Sequence, residues 1–318
     1  ALAVIVGIGG FGWNALHGGG ASPQDAVAKY GSDTLKLYIT GEYMSEDLIP
    51  AFEDEFGVDV IVEYFDSNEM MYTKMQAGDS YDVVIPSDYM IARMISEDML
   101  LELDFDNIPN YQYIGEDFRG LYYDPDNQYT VPYTYGIVGV IYNANVVDEA
   151  DIGDWDLMWN EKYKGKILQF NNPRDAFGTA MYYQGIDVNT KARDDWEAAL
   201  ALLKQQKPLV QGYVMDEIFN KMEGESAAIA PYYAGDFLSM YDGNDNLGFF
   251  FPAEGTNVFV DAMCIPAGSR NRDVAEAYIN FMLTREAAKA NAEYICYASP
   301  NKLLYNSATG EIDADYAE

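Results

Sequence analysis

The stretch Val258–Pro266, VFVDAMCIP, places a carboxylate inside an apolar run. The run is rich in β-branched and aromatic residues and ends at a proline, which is typical of a buried strand. Asp261 stands in its middle, and no Lys or Arg lies within eight residues. A buried charge is costly unless something pairs with it. The partner of Asp261 is therefore distant in the sequence or is not part of the protein; backbone amides are the structural alternative.

The composition describes a folded and strongly acidic chain. Its 318 residues are 49% apolar and 14% aromatic, which excludes a disordered chain and suffices for one large domain or two lobes. The 52 acidic and 19 basic residues give a formal charge of -33. This charge repels nucleic acid and anionic lipid and attracts cations. The same charge would also be expected from a requirement for solubility or from adaptation to the cell envelope or to salt. The charge therefore does not locate a binding site.

Histidine and cysteine are scarce. The single His17 lies in a Gly-rich segment, so a Ser-His-Asp triad and a His-rich metal site are not expected. Cys264 and Cys296 cannot form a zinc-finger set. They could form one disulfide in an oxidising compartment or remain two thiols, and the sequence does not decide between these.

Residues 1–32 predict a leader or tether. The apolar run ALAVIVGIGGFGW is too short to span a bilayer by itself, and it could be the tail of a signal peptide or of a membrane helix. The small, polar and Gly-rich residues that follow it are typical of a linker. An N-terminal strand or helix packed on the domain is the alternative.

From Thr34 onward, strands and helices alternate in the pattern of α/β units with mainly parallel sheets. The stretch Tyr129–Asn143 interrupts the first unit as two extended pieces, and a second set follows that includes a helix at Asp154–Trp159. Links near Pro132–Gly136 and near Val258–Asp261 would join two α/β lobes with a cleft between them. We expect lobe 1 at 33–135 plus 262–300 and lobe 2 at 136–261 plus 301–318.

Polar and aromatic residues gather where the predicted strands end. Ligands of open α/β sheets bind outside the carboxyl ends of the strands. Each end combines carboxylates with Tyr or Phe, which suits an alkylammonium ion: carboxylates accept its N–H groups and ring faces line its methylenes. Helix capping and packing are the structural alternatives at each single end. The ends are Thr40–Tyr43, Ser87–Tyr89, Asn171–Asp175, Tyr232–Asp236 and Tyr297–Pro300.

An ordered set of short segments resembles bacterial polyamine-binding proteins, the spermidine/putrescine receptors of ABC importers. The resemblance runs from about Thr34 to Asn301 and implies a two-lobed periplasmic-binding-protein fold of type II kind, with a hinge and a ligand cleft between the lobes. The segments are SNEMMYTKM (67–75), YDVVIPSDY (81–89), YKGKI (163–167), MEGESAAI (222–229), FVDAMCIP (259–266) and CYASPN (296–301).

The resemblance also implies which residues bind the ligand. Thr40 stands where a Trp is expected, Asn172 where an acid is expected, and Tyr233 and Phe259 replace Trp. The family's C-terminal helix is short or absent, so no contact from it is carried over. The implied ligand-binding residues are Thr40, Glu42, Tyr43, Ser87, Tyr89, Asn172, Asp175, Tyr233, Asp236, Phe259, Asp261 and Tyr297.

The expected function is therefore a non-enzymatic, extracytoplasmic receptor that closes on putrescine or spermidine and delivers it to an ABC permease. The resemblance implies that the receptor is held at the outer membrane face by its N-terminal segment, with the permease possibly fused upstream. No cofactor, metal or nucleic acid is expected. The alternatives are the same fold for a metal ion, an anion or a sugar, and a glycosidase with paired carboxylates. Few basic residues stand at the strand ends for an anion, and no EF-hand loop pattern appears for calcium.

Overall fold

The structure, a computed structural model, describes residues 20–305 as α-helices, β-strands and short 3₁₀ turns. The helices are α1 Pro23–Tyr30, α2 Leu48–Phe56, α3 Asn68–Gln76, α4 Asp88–Ser96, α5 Pro173–Tyr183, α6 Arg193–Gln206, α7 Glu217–Glu223, α8 Ala234–Gly243, α9 Arg272–Met282 and α10 Arg285–Ile295. The strands are β1 Thr34–Thr40, β2 Asp59–Phe65, β3 Val83–Val84, β4 Thr130–Asn143, β5 Ile167–Phe170, β6 Val210–Val214, β7 Ile229–Tyr233, β8 Leu247–Phe250 and β9 Val258–Cys264.

The chain divides into two compact units. The first contains the described residues 20–134, 260–295 and 299–305, and the second contains Tyr135–Phe259 and Cys296–Ala298. These boundaries differ from the predicted lobes because backbone pairing, not sequence order, assigns the short segments. Asp261 pairs with Ser87 and joins the first unit, whereas Ala298 pairs with Tyr135 and joins the second. Residues 301–305 belong to the first unit.

The first unit contains an α/β sheet in the order β2-β1-β3-β9. Strands β2 and β3 both run parallel to β1, and β9 runs antiparallel to β3. Its helices bury apolar faces: Phe52 of α2 is fully buried and packs edge-on against Tyr278 of α9, with ring centroids 5.2 Å apart. Because β1 and β3 are parallel, Thr40 at the end of β1 and Ser87, which follows β3, lie at the same end of this sheet.

The second unit has its own mixed sheet. Strands β6 and β7 run parallel to the central β5, while β4 pairs antiparallel with β7 and with β8. The buried pattern of β5 and β7 fits strands covered on both faces. Since β5 and β7 are parallel, the segments after Phe170 and after Ile229–Tyr233 leave the sheet at the same edge.

The end of the predicted leader is a packed helix rather than a tether. Ser22 and Asp25 form a capping box at the start of α1, Ala26 is buried, and the Tyr30 ring lies 6.3 Å from that of Phe56 in α2. The cap satisfies free N–H groups and the apolar contact holds the helix on the first unit. The predicted tether is therefore wrong for residues 23–30, and residues 1–19 lie outside the described part of the chain.

Other elements also differ from the expectation. Tyr129–Asn143 is not two extended pieces, because β4 continues through Pro132 and Gly136 as one strand. Trp155–Trp159 is a 3₁₀ turn, and the strand Val210–Val214 was not expected. Cys264 and Cys296 do not form a disulfide, and burial raises the pKa of the Cys264 thiol well above its usual range. Within residues 20–305, none of the helices has the length and apolar character needed to cross a membrane.

Candidate functional site

Asp261 is the centre of a group of residues in the first unit, here called the first-unit cluster: Thr40, Glu42, Tyr43, Ser87, Tyr89 and Asp261. Asp261 is only 6% exposed, and its backbone pairs with that of Ser87. Its Oδ2 accepts a hydrogen bond of 2.5 Å from the hydroxyl of Tyr43. The sequence left open whether backbone amides or a distant group hold this carboxylate, and the structure shows a buried phenol in contact with it.

Tyr43 is itself fixed by the core of the first unit. Its hydroxyl also hydrogen-bonds with Thr134, and its backbone oxygen accepts a bond of 2.7 Å from the hydroxyl of Tyr133. Asn291 in turn donates to Tyr133 at 2.8 Å. Burial raises the pKa of Tyr43 well above its usual range, and the neighbouring Asp261 charge raises it further. Tyr43 therefore remains a neutral donor to Asp261.

The turn that carries Ser87 and Tyr89 is tied to the start of α3. Asn68 donates through Nδ2 to the Ser87 hydroxyl and accepts from the Ser87 backbone N–H, both at 3.0 Å. The Tyr89 hydroxyl donates to Oε1 of Glu69 at 2.9 Å. Asp88 accepts from the Tyr89 N–H at 2.6 Å, which holds the first turn of α4.

Thr40 and Glu42 are placed differently from the other members. Thr40 ends β1 and is half-buried, whereas Glu42 is exposed in a turn with φ of 52°. That left-handed conformation is uncommon outside glycine. The Glu42 carboxylate makes no hydrogen bond to another residue of the described chain. The structure therefore brings Tyr43, Ser87 and Asp261 together and leaves Glu42 as an exposed acid beside them in the sequence.

A second group, the second-unit cluster, consists of Asn172, Asp175, Tyr233, Asp236, Phe259 and Tyr297. At its centre the carboxylate of Asp175 accepts from the Tyr233 hydroxyl at 2.6 Å and from Asn172 Nδ2 at 2.8 Å. Asn172 also caps α5 by accepting from the Asp175 N–H. Burial raises the pKa of Asp175, and these two hydrogen bonds oppose the increase. The amide at position 172 thus supports the carboxylate as a donor, which an acid could not do when ionised.

Aromatic rings line the same cluster. The Tyr233 ring packs edge-on against Phe259 with centroids 5.3 Å apart, and Phe259 lies 6.3 Å from Tyr297. The Tyr297 hydroxyl donates to Asp236 at 2.9 Å. Each carboxylate of this cluster therefore has a tyrosine hydroxyl on one oxygen and ring faces close by.

Two glycines make room for these rings, and the sequence reading did not identify them. A Cβ on Gly235 would lie 2.4 Å from the ring of Tyr297, and a Cβ on Gly136 would lie 2.5 Å from the ring of Phe259. Contacts below 3.0 Å are not tolerated, so any larger residue would displace a ring. Gly235 lies two residues after the end of β7, within the segment Tyr232–Asp236 that the sequence analysis selected as a strand end, and that position is the signal the sequence offered.

Both clusters contain the chemical groups that could bind a cation. Ionised carboxylates accept strong hydrogen bonds from an ammonium group, and aromatic faces attract it and cover its methylenes. The described residues contain no group of three or more His, Cys, Asp or Glu arranged to hold a metal ion. Phenol hydroxyls, amides and single carboxylates are therefore the groups from which a ligand site can be formed.

Comparison with known proteins identifies the family. Residues 47–318 match the model of the bacterial extracellular solute-binding proteins. The chain belongs to this family. This match, together with the relatives described next, confirms the resemblance expected from the short segments and the α/β fold of the periplasmic-binding-protein class.

Individual relatives of this solute-binding protein carry more specific names. It is 32% identical over 287 residues to the spermidine/putrescine-binding periplasmic protein of Escherichia coli, covering 89% of this chain and 82% of that one. A Listeria monocytogenes structure described as a spermidine/putrescine ABC transporter has a TM-score of 0.81 and 36% identity, covering 85% of this chain and 84% of that one. The spermidine/putrescine substrate-binding protein of Streptococcus pneumoniae has a TM-score of 0.71 and 38% identity, covering 90% of each chain.

Proposed function

We propose that this solute-binding protein binds a polyamine through the acids and rings of its two clusters and delivers it to an ABC permease. The observation that carries the proposal is the pairing of tyrosine hydroxyls with carboxylates that are buried or half-buried: Tyr43 with Asp261, Tyr233 with Asp175, and Tyr297 with Asp236. The names of the relatives, which are spermidine/putrescine-binding proteins, support the same solute class.

Each of these pairs holds a carboxylate in a fixed direction without neutralising its charge. A tyrosine hydroxyl occupies part of the acceptor capacity, and the remaining lone pairs can accept from an ammonium group. A Lys or Arg in the same place would compete with a cationic ligand. Among the salt bridges of the described residues, none involves Asp175.

The energy of such contacts is sufficient for a receptor. A micromolar dissociation constant corresponds to about 8 kcal/mol. Hydrogen bonds to charged groups contribute roughly 1.5–3 kcal/mol each, and cation–π contacts add roughly 0.5–2 kcal/mol. Two or three ammonium–carboxylate contacts with ring contacts therefore supply this affinity after the cost of ordering the ligand is subtracted.

The place of action and the partner follow from the relatives. Those named above are periplasmic binding proteins or ABC transporter components. We therefore assign the protein to the extracytoplasmic side, as a binding protein without catalytic activity. The apolar residues 1–13 would hold it at the membrane, either as an anchor or as the end of a permease to which it is fused.

Titration calorimetry at physiological salt tests the proposal. We expect saturable one-to-one binding of putrescine, cadaverine, spermidine or spermine, and no binding of arginine or maltose. Ligand that binds only the folded state also raises the melting temperature, by an amount set by its concentration relative to Kd. A matched rise in melting temperature is therefore the second readout.

Non-specific binding of polyamines to the acidic surface would give a different calorimetric result. A chain of charge -33 attracts polycations without a site, and this attraction weakens with salt. Small heats that grow with the charge of the amine and vanish at higher salt would therefore contradict a polyamine site. The polyamine proposal would then be abandoned, and metal ions and sugars would be screened as ligands.

A further inference from the structure

Glu69 is an acid that neither the helix-capping pattern nor the family resemblance assigns to the ligand. It lies in the first turn of α3, and its Oε1 accepts the hydroxyl of Tyr89 at 2.9 Å. Tyr89 is one of the proposed ligand-binding residues of the first-unit cluster. Glu69 is thus one hydrogen bond away from the proposed site, within the same unit.

The second oxygen of Glu69 is the informative one. Its Oε2 is shielded from solvent and has no hydrogen-bond partner among the described residues. A buried acceptor without a partner costs roughly 1–3 kcal/mol, and more when it is charged. Such groups are rare in native proteins, and a bound water, ion or ligand is one explanation for them.

The neighbouring Asn68 is a structural residue, and its hydrogen bonds provide a comparison for those of Glu69. Its Nδ2 and its Oδ1 are both used, on the hydroxyl and the backbone N–H of Ser87. The start of α3 therefore holds the Ser87–Tyr89 turn through two adjacent side chains. Both polar groups of the Asn68 side chain form hydrogen bonds with that turn. Only one carboxylate oxygen of Glu69 does so.

No basic side chain of the described chain compensates the Glu69 charge. The salt bridges of residues 20–305 pair other acids, such as Glu63 with Lys74 and Glu97 with Arg93. A shielded carboxylate oxygen without a cation next to it is a position that a cation would stabilise. A primary ammonium group has the size, charge and three N–H donors that this position needs.

We infer that Glu69 is a direct ligand-binding residue: its Oε2 accepts a hydrogen bond from an ammonium group of the polyamine, beside the ring of Tyr89. This inference rests on the proposed function and adds one amine-binding position to the first unit. Glu69 therefore has two roles, orienting the Tyr89 hydroxyl through Oε1 and binding the ligand through Oε2.

The test is a double-mutant cycle of Glu69→Gln with Tyr89→Phe, measured by calorimetry with putrescine and with spermidine at physiological salt. Glutamine keeps an acceptor for Tyr89 but replaces the free carboxylate oxygen with an NH₂ group. We expect Glu69→Gln to weaken binding of at least one amine by tenfold or more, and by a similar factor when Tyr89→Phe is already present. Glu286→Gln, at an exposed site on α10, is the control for the change in net charge.

Two results would overturn the inference. Affinities within twofold of the unchanged protein would mean that Oε2 holds only a water molecule. A loss that disappears in the Tyr89→Phe background would mean that Glu69 acts solely through the Tyr89 hydroxyl. If Glu69→Gln lowers the melting temperature, the affinity of Glu69→Asp is measured instead. Aspartate keeps the negative charge but its side chain is one methylene shorter, so this variant should also bind the amine more weakly. Failure of the unchanged protein to bind any amine would instead contradict the proposed function.

Discussion

The two clusters hold their carboxylates by different means. In the first unit, Asp261 sits inside a strand and is contacted by Tyr43, whose position is set by Tyr133 and by Asn291 of α10. In the second unit, Asp175 and Asp236 lie in the first turns of α5 and α8 and accept hydrogen bonds from the hydroxyls of Tyr233 and Tyr297. The first arrangement is anchored in a network of buried hydrogen bonds, and the second places half-buried acids beside packed rings.

This difference predicts different consequences of mutation. A buried network has low tolerance for lost partners, because each unsatisfied polar group costs free energy. Rings packed against glycines depend instead on shape, since a few added atoms displace them. Changes of charge should therefore matter most in the first unit, and changes of volume most in the second.

The largest effect is expected from Asp261→Asn. Asparagine preserves the shape of the side chain and an acceptor for Tyr43, but it removes the charge that binds the ammonium group. Loss of one charge-assisted contact worth roughly 1.5–3 kcal/mol corresponds to about a 10- to 100-fold weaker Kd. Calorimetry measures the change.

Asp82 provides the matched control for that variant. It is also a buried aspartate of the first unit, but its carboxylate accepts from the Lys36 N–H, the Ser269 hydroxyl and the Asn271 amide. Asp82→Asn should therefore lower the melting temperature and leave the affinity unchanged. Equal affinity losses in the two variants would show that Asp261 acts through stability and not as a ligand-binding residue.

Gly235→Ala should have the next largest effect. The added Cβ would meet the Tyr297 ring at 2.4 Å, so the ring must shift away from its hydrogen bond with Asp236. We expect about a tenfold weaker Kd, the equivalent of about one hydrogen bond to a charged group. Binding is again measured by calorimetry and folding by thermal melting.

Gly178 is the control for helix propensity. It lies within α5, and a Cβ there meets nothing within 4 Å. Gly178→Ala should raise stability by up to about 1 kcal/mol, because alanine favours the helix over glycine, with unchanged affinity. If Gly235→Ala behaved like Gly178→Ala, the close packing of the Tyr297 ring on Gly235 would have no role in binding.

The smallest effect is expected from Tyr233→Phe, and it should appear mainly in the dependence on pH. The Tyr233 hydroxyl lowers the pKa of Asp175 against the opposing effect of burial. Its removal therefore raises this pKa further. Cation binding requires the ionised carboxylate, so affinity falls as the pH falls through the pKa of Asp175. The variant should lose affinity at a higher pH than the unchanged protein.

Calorimetry over a pH series measures this shift, and buffers with different ionisation heats report the proton that binding releases. Tyr232→Phe is the comparison variant, because Tyr232 is buried next to Tyr233 in the same strand. Identical pH profiles for Tyr233→Phe and the unchanged protein would contradict the role given to the hydroxyl of Tyr233.

Much of the secondary structure was predictable because it depends on local sequence. The alternation in Thr34–Ile39, the apolar run before Asp261 and the Ser67 cap all depend on residues close in sequence, and each appears as expected. The leader helix was only the alternative to a tether in the sequence analysis, because its stability comes from the capping box together with contacts to α2, more than 20 residues away in the chain.

The sequence by itself determined the acidic charge, the α/β pattern and the residue types at the strand ends, because periodicity and composition are properties of the chain. Only the tertiary structure decided that Tyr43 contacts Asp261, that Tyr233 and Asn172 share Asp175, and that one oxygen of Glu69 has no hydrogen-bond partner within residues 20–305. These contacts join residues up to 218 positions apart. Their geometry depends on packing and hydrogen-bond direction, which spacing along the chain does not specify.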